Sequence, residues 1–253
     1  RQSGAQLHLD LPLVSGRVRE VPADLAGVAF DDSNLSLRLG RFLDALEPAL
    51  RDISTISLGY EADAYFADKP DELRAYRRLF DGAVTYLGRK LPRLRVGVTT
   101  SFPAESPAPE VAAALHQRSP VLFYIYAPFE QGKPWWHREP AAIESDWKEL
   151  LERAGTRPIA FPEVSYSSSP ENGSSPEKQA DFVRRLRLLL AGSDGERLLF
   201  ARWVSWRDLP EPSPEARIPE LERRRAAFLA RRGLQAPDGA AKPAWRAWVK
   251  PAR

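Results

Sequence analysis

Short apolar runs alternate with stretches of helical period from one end of the chain to the other. The runs span 6–13 (QLHLDLPL), 53–59 (ISTISLG), 94–100 (LRVGVTT), 121–126 (VLFYIY), 158–164 (PIAFPEV) and 198–206 (LLFARWVSW). After the first run, apolar residues fall at Leu35, Leu39, Phe42, Leu43, Leu46 and Leu50, the spacing of one buried helix face. Asp31, Asp32 and Ser33 supply a cap at its start. Leu73, Tyr76, Phe80, Ala83, Val84 and Leu87 mark a helix after the second run. A short helix near 111–117 follows the third, and Ile143, Trp147, Leu150 and Leu151 line one after the fourth. The fifth run leads through a serine-rich loop, 165–175, into a capping box of Ser174 and Glu177 with Pro176 in the first turn. A helix through Ala180, Val183, Leu186 and Leu190 follows it, and another spans 219–231 beyond the sixth run. Such alternation predicts βαβ units on a parallel sheet, an α/β fold. Six strands are two short of a closed (β/α)8 barrel.

Composition narrows the chemistry more than the fold. A length of 253 residues suits one large α/β barrel or two small domains. No run of about 18 apolar residues occurs, so no helix is expected to cross a membrane. The net charge of +3 comes from 37 Lys and Arg against 34 Asp and Glu, interleaved along the chain. The cluster Arg223, Arg224, Arg225 reads as a solvated helix face, and no nucleic-acid partner is expected. With no Cys, disulfides and thiolate chemistry are excluded. The three His (His8, His116, His137) are too scattered for a three-histidine zinc site. Neither a metal nor an organic cofactor is expected, and His137 reads as an exposed loop residue. The chain opens Arg1-Gln2-Ser3-Gly4, without Met or an apolar signal segment, and reads as a fragment or processed product.

Parallel barrels carry function at the carboxyl ends of their strands. Two glutamates stand there: Glu61, after ISLGY, and Glu163, inside IAFPEVSY, 102 residues apart. Two carboxylates facing one cavity suit glycoside cleavage, one donating a proton to the leaving oxygen and the other attacking the anomeric carbon. A separation of about 5–5.5 Å gives retention of configuration, and the expected value here is about 4.5–6 Å. Aromatic rings at strand ends suit the C–H face of a sugar. Trp135 and Trp136 are either a loop anchor or part of a substrate site, and Asp63 and Asp208 either bind sugar hydroxyls or cap loops. His8 and Asp10, near the end of the first run, carry no motif. The serine-rich stretch reads as a structured active-site loop rather than a linker, because strand and capped helix flank it closely.

The segments SLGYEADAYF (57–66), FPEVSYSSSPENGSSPEKQADFV (161–183), LLFARWVSWRDL (198–209) and GLQAPDGAAKPAWRAW (233–248) resemble, in that order, the later part of the clan A retaining glycoside hydrolases. That resemblance implies a (β/α)8 TIM-barrel domain over 1–253, truncated at its N-terminus to about six parallel strands. The missing strands would be supplied upstream in a full chain or by another chain. It implies Glu61 as acid/base, Glu163 as nucleophile, Trp203 as the sugar-stacking residue and Trp206 as the second choice. Tyr126 is implied as a donor to the nucleophile carboxylate, with Tyr124 on the same face, while Tyr60 and Trp136 complete the expected substrate contacts. Tyr60 stands where the family usually has Asn. The implied substrate is a β-linked oligo- or polysaccharide, and the implied location is outside the cytoplasm. The alternative function is a carbohydrate-binding barrel that has lost turnover, which Tyr60 favours.

Overall fold

The computed structural model describes residues 7–192, 197–210 and 219–250. Gln6 of the first run and the opening Arg1-Gln2-Ser3-Gly4 lie outside the described residues. The chain divides into two compact units, one ending at Ile125 and the other beginning at Tyr126.

In the first unit, β1 (His8–Asp10) pairs in parallel with β4 (Thr55–Ser57), which pairs in parallel with β5 (Arg95–Gly97). The third apolar run is split at Val98 into β5 and β6 (Thr99–Ser101), and β6 pairs in parallel with β7 (Leu122–Tyr126). Gly97 permits this crossing: a Cβ there would meet the Phe123 ring at 2.7 Å. A small hairpin, β2 (Val14–Ser15) and β3 (Val18–Arg19), follows β1. Helix α1 (Ser33–Leu50) starts at Asp32, whose carboxylate accepts from the Asn34 and Leu35 amides. It buries Leu35, Leu39, Leu43 and Leu50, whereas Phe42, expected on that face, is 47% exposed. Leu39 and Leu43 are four apart and define the buried stripe, and Phe42 points about 100° away from Leu43. Helix α3 (Pro70–Lys90) presents Tyr76, Phe80, Ala83 and Leu87 to the same core. Burying each such large side chain contributes about 1.5–3 kcal/mol. A one-turn helix, α2 (Ala62–Phe66), and α4 (Pro109–His116) complete the unit.

In the second unit, β10 (Ile159–Val164) and β11 (Leu198–Trp203) pair in parallel, with two register irregularities. The stretch with Trp135, Trp136 and the loop residue expected at His137 contains an antiparallel hairpin, β8 (Phe129–Glu130) and β9 (Lys133–His137). The helices are α5 (Ala142–Ala154), α6 (Pro176–Ala191), α7 (Glu220–Arg231) and α8 (Pro243–Val249). The cap of α6 is Ser175, whose hydroxyl accepts from the Lys178 amide, and not Ser174. Pro176 occupies the first helical position, so the cap falls on the residue just before it. The Arg223–Arg225 run is neutralised by Glu171, Glu220 and Glu222. No helix among the described residues is long and apolar enough to cross a membrane.

His137 is buried, which corrects its reading as an exposed residue. Its ring stacks on Tyr166 at 4.0 Å and on Phe129 at 4.8 Å. Nδ1 donates to the Pro128 carbonyl, and Nε2 accepts from the Ser167 amide at 2.9 Å. Burial pushes its pKa down to about 3, against the opposing bond to Pro128. The unfolded chain takes up this proton near pH 6.5, so stability falls as pH drops from about 6.5 towards 3. That window corresponds to several kcal/mol. Urea midpoints at pH 7 and pH 4 are expected to differ strongly in the wild type and much less in His137→Gln.

Candidate active site

Glu61 belongs to the first unit. The strand β4 runs out through Leu58 and Gly59 into Tyr60, whose backbone joins the hairpin: the Tyr60 amide donates to Val14, and the Gly16 amide donates to Tyr60, both at 2.9 Å. The Tyr60 backbone is thereby fixed just ahead of Glu61. Glu61 has φ 47° and ψ 42°, the left-handed region, and forms the N-terminal boundary of α2. Its carbonyl accepts from the Ala64 amide, and its Oε2 lies 3.3 Å from where a Gly16 Cβ would sit. A non-glycine residue costs about 1–2 kcal/mol in this conformation, and such strain collects at functional positions. Glu61→Gly is therefore expected to melt higher than Glu61→Ala, which keeps the strain that any Cβ carries in this conformation. Asp63 is fully buried and accepts from the Ser101 amide (3.0 Å) and the Ser106 hydroxyl (2.5 Å), so it ties loops together rather than facing a ligand. His8 bridges Thr55 Oγ1 and Asp10 Oδ1, each at 2.9 Å.

Glu163 belongs to the second unit, one residue from the end of β10. One register irregularity lies between Phe161 and Val164, which breaks the two-residue alternation. Phe161 packs on Trp147 of α5 and on Tyr126. Glu163 Oε1 accepts from Arg232 Nη1 at 2.6 Å, the two side chains being 14% and 18% exposed. Arg232 carries no motif and lies 69 residues away, so sequence reasoning missed it.

Several expected substrate contacts are engaged elsewhere. The Tyr126 hydroxyl donates to Asp146 at 2.6 Å, and Asp146 also pairs with Arg138. Tyr124 is buried in the first unit, edge-on to His116 of α4 at 4.9 Å, and so packs in the core. Trp203 packs on Phe182 and Trp248, and its Nε1 donates to the Arg232 carbonyl at 2.9 Å. It is partly buried against the α6–α8 layer and supports the Arg232 backbone. Trp206, the second choice, is 54% exposed and meets Trp245 at 4.6 Å. Trp136 packs against Gly173, where a Cβ would sit 2.4 Å from its ring, and lies below Arg224. These contacts make it a loop anchor.

The serine-rich loop is hydrogen-bonded along its length. Ser165 donates to the Tyr126 carbonyl, Ser167 to His137 and Ser168 to the Arg231 carbonyl. Asp208 is buried, holds Lys242 through both oxygens at 3.0 Å and accepts from the Gly233 amide at 2.8 Å. Burial lowers the Lys242 pKa, and the bonds to Asp208 oppose that effect. No cluster of three metal-ligating side chains occurs among the described residues.

No family model and no curated sequence matches the chain. Solved structures do match it. One is a GH5_18 protein variant from Bifidobacterium longum in complex with Manβ1-4GlcNAc, with a TM-score of 0.60 and 16% identity, covering 98% of this chain and 60% of that one. Another is a GH5_18 variant from Streptomyces cattleya with the same disaccharide, at 0.61 and 17%, covering 97% and 61%. A third is a thermostable mutant of a xylanase from Cellvibrio japonicus, at 0.63 and 13%, covering 98% and 78%. The chain, α/β with parallel sheets, shares the fold of these solved glycoside hydrolase structures over nearly its whole length. The chain spans about 60% of the length of the two GH5_18 proteins.

Proposed function

We propose that this chain is a retaining glycoside hydrolase acting on a β-linked oligo- or polysaccharide, with Glu61 as acid/base and Glu163 as nucleophile. In this reading the remaining barrel strands come from further sequence or another chain. The observation that carries it is Glu163, a mostly buried carboxylate next to the end of a parallel strand with a guanidinium on one oxygen. A fixed positive charge there stabilises the anion that must attack carbon. Glu61, held in a strained conformation just past the end of β4, supports the second role. The Manβ1-4GlcNAc bound by two proteins of this fold supports a β-linked substrate.

The chemistry follows double displacement. A Glu163 oxygen bonds to the anomeric carbon while the glycosidic C–O bond breaks, and Glu61 gives its proton to the departing oxygen. Water then attacks the same carbon, losing a proton to Glu61 and releasing Glu163, so the configuration is restored. Trp206, with its exposed ring, is the better-placed aromatic for a sugar face.

A second reading, binding without turnover, is favoured by Tyr60 and by the engaged rings of Trp203 and Tyr124. One experiment separates the two. The chain is incubated with a panel of aryl β-glycosides, and proton NMR follows the first-formed anomer. A β-anomer as first product supports the enzyme. An α-anomer points to inversion and removes the nucleophile role. Saturable binding with no release of aryl alcohol selects the second reading.

A further inference from the structure

We infer that Arg232 is the positioning residue of Glu163, setting the orientation of the carboxylate for attack; this rests on the glycosidase reading. The carbonyls of Arg231, Arg232 and Gly233 each accept from a side chain of a different element. Ser168 of the serine-rich loop donates to Arg231 at 3.1 Å, Trp203 of β11 to Arg232 at 2.9 Å, and Lys242 to Gly233 at 2.7 Å. Gln179 of α6 adds a bond to Gly233 at 3.2 Å, and the Gly233 amide donates to Asp208. Three consecutive peptide units are thus held by five side chains, at the point where α7 has ended.

The side chain is then aimed rather than saturated. Its Cζ lies 5.5 Å from the Phe228 ring centroid, and Nη1 reaches Glu163 Oε1 at 2.6 Å. Its Nε is buried with no hydrogen-bond partner. A buried donor left unpaired is unfavourable, and a buried ion pair contributes little net stability. A purely structural role therefore accounts poorly for the arrangement. A guanidinium fixed by its backbone and pressed on one carboxylate oxygen is a device for holding the other atoms of that carboxylate in one orientation.

The test uses the full chain and 2,4-dinitrophenyl 2-deoxy-2-fluoro-β-glycosides (glucoside, mannoside and xyloside). The fluorine slows breakdown of the covalent adduct, so labelling reports on nucleophilic attack alone. Intact mass and peptide mapping locate the label. The wild type is expected to label at Glu163. Arg232→Ala is expected to label about 100-fold more slowly at saturation with an unchanged inhibitor half-saturation constant, the size of effect of losing one oriented donor. Guanidinium ions at millimolar concentration are expected to restore part of the rate, and Arg232→Lys to retain more of it than Arg232→Ala. Should Arg232→Ala fail to fold, by circular dichroism, Arg232→Lys and Arg232→Gln are compared in its place. Labelling of Glu163 in the wild type together with an equal rate in the variants overturns the role of Arg232 alone. So does a loss confined to half-saturation, or a slow folded Arg232→Ala that guanidinium does not restore. No label at Glu163 in the wild type overturns the glycosidase reading and this inference with it.

Discussion

Glu163→Gln is expected to lower kcat/KM on an activated aryl glycoside by on the order of 10^4-fold or more, with the fold intact. The amide keeps the size of the side chain and an oxygen for Arg232 Nη1, so the contact at 2.6 Å has an acceptor still. What it loses is the charge and the lone pair that form the bond to carbon. The shorter Glu163→Gly opens space for an external nucleophile. Added azide is then expected to give the α-glycosyl azide, because attack comes once and from the face that Glu163 used. Glu61→Gly with azide is expected to give the β-product, because there azide replaces water in the second step. Both changes are read from product NMR. Turnover in Glu163→Gln within tenfold of the wild type sinks the nucleophile assignment, whatever becomes of Glu61.

Gly233→Ala is expected to cost about 3 kcal/mol or more, a fall of roughly 6–12 °C in melting temperature. Its new Cβ would lie 2.1 Å from the Asp208 amide nitrogen and 2.2 Å from the Arg207 carbonyl carbon. Both are backbone atoms that have nowhere to go. The Asp208 amide donates to Gln235, and the Asp208 carboxylate holds Lys242 and the Gly233 amide. Gly40 and Gly82 provide the contrast. They lie inside α1 and α3, and a Cβ at either meets nothing within 4 Å. Alanine at each is expected to stabilise by about 0.5–1 kcal/mol through helix propensity. A Gly233→Ala melt matching the wild type would falsify the close packing described around Asp208.

The strand pattern was legible because each run is short, apolar and bounded by turn residues. All six runs contain strands, and Asp32 caps its helix as its position in the sequence suggests. Facing was harder. In VLFYIY every residue but Ile125 is buried, so period two cannot say which side chains meet helices and which meet ligand. Tyr124 and Tyr126 therefore looked equivalent to site residues, and the structure gives each a partner on the helical side, His116 and Asp146. Trp203 ends an apolar strand as a platform residue would, yet α8 brings Trp248 over it, a long-range contact with no local signal. His137 shows the same limit: besides Phe129 of its own hairpin, the rings of Tyr166 and Phe228 from distant segments bury it. Arg232 was invisible for a different reason. It closes a basic helix and looks like solvent-facing charge until tertiary structure lays it on Glu163.

The buried imidazole reaches further than its own packing. Ser167, which it holds, is the immediate neighbour of Ser168, and Ser168 grips the peptide unit just ahead of Arg232. Acidification destabilises the fold through this imidazole, and the clamp on the peptide unit ahead of Arg232 is expected to loosen with it. The acidic edge of a stability profile would then be steep and cooperative, tracking loss of structure around a single buried ring.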